Sequence, residues 1–146
     1  LVDITQDEDG YPPVSVEGVW VEPVPSGDFR IENIPFYARE LSCDDIVSGR
    51  LSGDGNLHFA GLVVPSGNST FRVIVHEGAR LDRVRSGIVE HGVTTEVDRR
   101  QQLIAIDIPS TVRIEPLLNY LMSLRDEGIA DFEEGALRHP LNDSIQ

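Results

Sequence analysis

The stretch LIAIDIPSTVRIEPLLNYLMSLRDEGIADFE, residues 103–133, decides the fold. Leu103 to Ile108 is short, bounded by Pro109 and rich in β-branched side chains, so it reads as a buried strand. Pro116 suits the first turn of a helix, and Leu117, Leu118, Leu121 and Leu124 recur at helical spacing on one face. Gly128 ends that helix over Pro116 to Glu127, and Ile129 to Glu133 returns as a strand. The same order lies upstream. Phe71 to Val75 is a strand, Ala79 to His91 a helix with Leu81, Val84 and Ile88 on one face, Gly92 its stop, and Val93 to Val97 a second strand. With Asp98-Arg99-Arg100-Gln101 as a polar turn between the halves, residues 66–135 predict a β-α-β-β-α-β unit, the ferredoxin-like split βαβ arrangement. Two right-handed crossovers put both helices on one sheet face and leave the other to a second layer.

Upstream, the pattern shortens. Val16 to Val24 around Trp20 and Asp28 to Asn33 form a hairpin across Pro25-Ser26-Gly27, and Ile46 to Leu51 pairs with Leu57 to Val64 across Gly53-Asp54-Gly55-Asn56. Pro35 to Asp45 reads as an irregular crossing with a helical turn at Arg39 to Ser42. Residues 14–65 are therefore expected as a small β-barrel-like lobe, open or curled, packed on the C-terminal unit, so that the fold class is α+β. Trp20, Phe29, Phe36, Tyr37 and Phe59 supply its aromatic core. Residues 1–13, with Asp3, Asp7, Glu8 and Asp9, read as an extended acidic arm, and 136–146 as a C-terminal tail.

Twelve basic against 25 acidic residues leave a formal charge of −13, which disfavours a nucleic-acid surface. Every basic residue is Arg, so no Lys is present for a Schiff base or a phosphate-binding P-loop. One cysteine and four histidines make neither an internal disulfide nor a zinc finger. The lone thiol fits a reducing, cytoplasmic setting, and no stretch has the length and apolarity of a membrane span. No cofactor and no metal are expected.

Three runs carry a recognisable spacing: Ile34-Pro35-Phe36-Tyr37-Ala38, Asp44-Asp45-Ile46-Val47, and Ser66-Gly67-Asn68-Ser69-Thr70-Phe71-Arg72-Val73. Together they resemble the bacterial proteins grouped as domain of unknown function 4265, over most of residues 17 to 135. The third run is the most specific. Where the pattern has Gly before the acid, this chain has Asp44, a departure that bears on the turn. The resemblance implies no activity and leaves the motif residues as candidates without roles.

Ser66, Gly67, Asn68, Ser69 and Thr70, with Arg72 beside them, have the groups of an anion-binding nest, or of a plain polar turn opening a strand. His76 and Glu77, at the passage from strand to helix, could contact a ligand; no Ser or Cys nucleophile accompanies His76 in sequence. Cys43 is followed by Asp44 and Asp45, whose charges oppose thiolate formation. Asp44, Asp45, Glu133 and Glu134 are candidates for a partner-binding acidic rim.

With no catalytic set and a strongly acidic balance, the chain is expected to be a non-catalytic binding or regulatory protein that engages another, basic, protein in the manner of an immunity protein or antagonist. The alternative is a sensor of an amino acid or other metabolite at the junction of the lobes. An enzyme in which His76 and a carboxylate move protons is a third reading. An unpaired edge strand would also let two copies form a homodimer.

Overall fold

The computed structural model describes residues 1–4, 8, 10, 12 and 14–141. Among the described residues ten strands and two helices form a mixed α+β fold. A two-stranded antiparallel ribbon pairs β1 (Val2–Asp3) with β2 (Val16–Glu17). The first four-stranded sheet contains β3 (Val21–Pro23), β4 (Phe29–Ile31), β5 (Ile46–Leu51) and β6 (Leu57–Val64), ordered β3-β4-β5-β6 with every pair antiparallel. The second contains β7 (Ser69–Val75), β8 (Thr94–Asp98), β9 (Leu103–Ile108) and β10 (Ala130–Ala136), ordered β10-β7-β9-β8 and also antiparallel. A 3-10 turn (Gly78–Arg80) leads into α1 (Leu81–Val89), which joins β7 to β8; α2 (Glu115–Asp126) joins β9 to β10.

Alternation along the strands explains the layers. Phe71, Val73 and Val75 of β7 and Ile104, Ile106 and Ile108 of β9 point to the helices, where they meet Leu81, Val84, Ile88, Leu117, Leu121 and Leu124. Their neighbours Thr70, Arg72 and Asp107 therefore point to the opposite face. The helix-facing layer is apolar because two amphipathic helices cover it. The other face is polar, and the segment 33–45 crosses over it.

Several expectations are corrected here. The first sheet is no closed barrel, since β3 and β6 do not pair. Instead the Leu1 nitrogen donates to the Leu57 carbonyl and the Phe59 amide donates to the Leu1 carbonyl, so Leu1 lies on the outer edge of β6. The expected acidic arm begins as strand β1, with Val2 buried among Ile31, Ala38, Leu41 and Val47; its Asp7, Asp9 and Pro13 lie outside the described residues. Trp20 is 78% exposed and belongs to no core, because the strand expected over Val16 to Val24 breaks into β2 and β3 around it. No helical turn forms at Arg39 to Ser42; the chain turns at Cys43 and Asp44. The last strand runs on to Ala136, and the residues after it pack back into the molecule, so only 142–146 of the expected tail lie outside the description.

Candidate functional site

The three motif runs meet in the seam between the crossing 33–45 and the polar face of the second sheet. Asp45 is fully buried, and its carboxylate accepts from the amides of Ser42 and Ser66 at 2.9 and 2.8 Å. Arg138 completes the shell with a fork, Nη1 to Oδ1 at 2.9 Å and Nη2 to Oδ2 at 3.0 Å. A buried charge with two amides and a bidentate guanidinium is a satisfied charge.

Arg72 fills the centre of the seam at 1% exposure. Its Nε donates to the Phe36 carbonyl, its Nη2 to the Ala38 carbonyl at 2.7 Å, and Nη1 lies 3.6 Å from Glu133. Glu17 holds the same tripeptide from the amide side, accepting from Phe36, Tyr37 and Ala38 at 2.6, 2.9 and 2.7 Å. The loop 36–38 is thus clamped through both its N–H and its C=O groups. Gly135 makes this geometry possible. A Cβ there would stand 3.0 to 3.1 Å from the Arg72 guanidinium.

The Ser66 to Thr70 run is occupied by the protein itself. The Ser66 hydroxyl and the Asn68 amide both donate to the Cys43 carbonyl, and the Asn68 side-chain oxygen accepts from the Ser110 amide at 3.1 Å. Thr70 and Ser42 share a hydroxyl pair at 2.6 Å. Gly67 takes φ +87, the left-handed turn that lets the run enter β7.

Ser69 and His139 form a serine-histidine pair, Oγ to Nδ1 at 2.6 Å. His139 Nε2 donates to the Pro109 carbonyl at 2.8 Å, which leaves Nδ1 as acceptor of the Ser69 proton. These are the contacts of an activated nucleophile. Ser69 has no exposed surface, however, and its oxygen also accepts the amides of Arg138 and His139. No substrate carbonyl can reach it, so the pair fastens the C-terminal segment to β7.

His76 stands apart at the surface end of β7. Its Nδ1 donates to the Gly128 carbonyl at 2.9 Å and its Nε2 lies 3.1 Å from Asp131. Two acceptors ask for two N–H donors, and the Gly128 bond, then Asp131, hold its pKa above the ordinary value. Glu77 pairs with Arg80 at 3.4 Å. Neither joins the Ser66 to Thr70 run.

The acidic candidates divide. Asp45 is buried, Glu133 is half-buried against Arg72 and 4.0 Å from Arg39, and Asp44 and Glu134 are exposed. Cys43 has its thiol pushed up to about 12, by burial first and then by Asp44 and Asp107, which makes it a poor nucleophile. Among the described residues no cluster of His, Cys, Asp and Glu has the arrangement of a metal site. A cavity of about 110 Å³ opens in the first sheet, away from the seam, lined by Val19, Val21, Phe29, Val47 and Phe59 among others.

Glu17, Asp107, Gly135, Arg138 and His139 carry no motif in sequence; the geometry alone singles them out. The seam unites all three motif runs, and the profile of the family described as Domain of unknown function (DUF4265) matches residues 17–132. The chain belongs to the DUF4265 family. This DUF4265 chain is also similar to a solved structure described as "Novel crystal structure of a hypothetical protein from Neisseria gonorrhoeae", with 25% identity over 93% of this chain and 92% of that one, at a TM-score of 0.73. No curated protein matches it. For DUF4265 the seam assigns the motif residues Asp45, Ser66, Asn68 and Arg72 a physical task, holding the crossing to the second sheet.

Proposed function

We propose that this DUF4265 protein is a non-catalytic binding protein that engages another protein through its first sheet. The observation that carries this reading is the outer part of β6. Leu62, Val63 and Val64 are 41, 48 and 53% exposed on a strand without a single Asp, Glu or Arg, in a chain of net charge −13. Edge strands are ordinarily protected by charge or Pro, and exposed apolar side chains on the part of β6 beyond Phe59, which no described strand pairs on its outer side, suit addition of a partner strand. The net charge of −13 would steer a basic partner.

The filled seam supports this choice over a metabolite sensor at the lobe junction, because the polar groups of Ser66 to Thr70 are engaged by the protein. Strand order β10-β7-β9-β8 with a helix after β7 and another after β9 supports reading residues 66–135 as a ferredoxin-like unit, and residues 14–65 as a separate lobe resting on its open face. The unpaired thiol of Cys43 supports a reducing, cytoplasmic compartment. No described helix is long and apolar enough to cross a membrane.

The test is affinity capture from native cells with the wild-type protein and with Val63→Lys, at low and high salt. Capture of a defined protein that is lost with Val63→Lys and weakened by salt is the expected result. Capture of nothing, or of the same proteins by both forms, overturns the reading.

A further inference from the structure

Asp107 is the one group in the seam whose hydrogen bonding is incomplete. It lies on β9, opposite Thr70 of β7 and Thr94 of β8, on the polar face beneath the crossing. It is 7% exposed, and its Oδ1 is the one buried side-chain oxygen or nitrogen without a hydrogen-bond partner among the described residues. β7 offers the Thr70 hydroxyl, already paired with Ser42. β8 offers Thr94 and, one position further along the same face, Glu96, which accepts from the Ile34 amide. The crossing offers Cys43, Asp44 and Asp45, and the charge of Asp45 is neutralised by Arg138. None of the ion pairs among the described residues includes Asp107.

A lone buried carboxylate is costly, and a neutral carboxyl in the same place much less so. The segment above it is also under backbone strain. Glu40 and Asp44 take φ of +63 and +68, left-handed values that non-glycine residues adopt at a cost. The crossing is therefore held by the Asp45 and Asn68 bonds against its own strain and against the repulsion between Asp44 and Asp107.

We propose that Asp107 makes the seating of the crossing on the second sheet depend on pH: with its carboxyl neutral the segment around Cys43 stays closed, and with it ionised the segment opens more often. Burial first, then Asp44, then Asp45, raise the Asp107 carboxyl to about 6, which places the change between mildly acidic and neutral solution. The sign follows from linkage. The closed state prefers the protonated form, so it is favoured increasingly as pH falls below about 6 towards the ordinary carboxyl range, and that advantage is gone once pH has risen through about 6.

Hydrogen exchange of the full protein, corrected for intrinsic rates, tests this at the Ser42 and Asp45 amides. Their protection should fall by about tenfold between pH 5 and pH 7.5 in wild type, most of it below pH 6.5. It should stay nearly flat in Asp107→Asn, and in Asp44→Asn the fall should be smaller and end at lower pH. Cys43 supplies a second readout, its alkylation rate at pH 7.5. If opening exposes the thiol, Asp107→Asn reacts more slowly than wild type. If Asp107 acts merely by repelling the thiolate, the same variant reacts faster, because removing a negative charge favours the thiolate. Equal pH dependence of protection in wild type and Asp107→Asn, or faster alkylation of the variant, overturns the proposal.

Discussion

Arg72 shows how much a single side chain can be asked to hold. It reaches two carbonyls of the crossing, stands beside Glu133 and lies flat against Gly135. Arg72→Leu keeps the volume and removes every polar contact, leaving Phe36, Ala38 and Glu133 facing an apolar group. The expected loss is about 3–5 kcal/mol of unfolding free energy, read by urea denaturation. Asp44 gives the opposite sign. With φ at +68 it occupies a position that glycine takes without strain, so Asp44→Gly should stabilise by about 0.5–1 kcal/mol in the same assay. The sequence marked this place, since the family's pattern has glycine there, but a pattern does not state a dihedral angle. Nor could it show that the Asp45 carboxylate is buried while its neighbour Asp44 is exposed. In sequence the two are one acidic pair; in the fold one is a hub for two amides and a guanidinium, and the other is a surface charge.

Elements with strong periodicity were legible, and those without it were not. The leucines of α2 and the isoleucines of β9 announce their faces at any window length, and the structure buries them as read except for Leu118, which is only half-buried at the edge of the core. The crossing 33–45 has no period to read, because its conformation is imposed by Glu17, Arg72 and Arg138 from distant parts of the chain. Packing between the helices depends on a similar detail. Tyr120 of α2 lies so close over Gly87 of α1 that a Cβ at 87 would overlap its ring. Gly87→Val should cost about 2 kcal/mol, although the same change in an exposed helix would be mildly favourable. At the far end of β7, the His76 imidazolium joins the strand to Gly128 and Asp131. NMR titration should place the ring of His76 above 6.5, and Asp131→Asn should lower it. This contact supports the fold most fully below pH 6.5 and is lost as pH rises through the elevated value, the reverse of an acid pair.

At the scale of the whole molecule, the seam joins what would otherwise be two small cores, one around Val73 and Ile106 and one around Ile31 and Val47. Asp45→Ala strands Arg138 in a half-buried place and frees two amides, and should lower stability by about 3–5 kcal/mol. Because the hub joins the segments that carry the two cores, hydrogen exchange at the Ile31 and Ile106 amides should report one shared opening in the wild type, and separate openings in this variant. The sequence could not reveal that hub, since its two ends lie 93 residues apart. That separation matters while the protein is being made. Asp45 and β5 leave the ribosome long before Arg138 does, and at about 5–20 residues per second the interval is about 5–20 s. During it the first sheet carries an unneutralised carboxylate at its base, with Ser69 still waiting for His139. A growing chain of this protein is thus committed to finishing its N-terminal half late, when the segment after β10 arrives to close it.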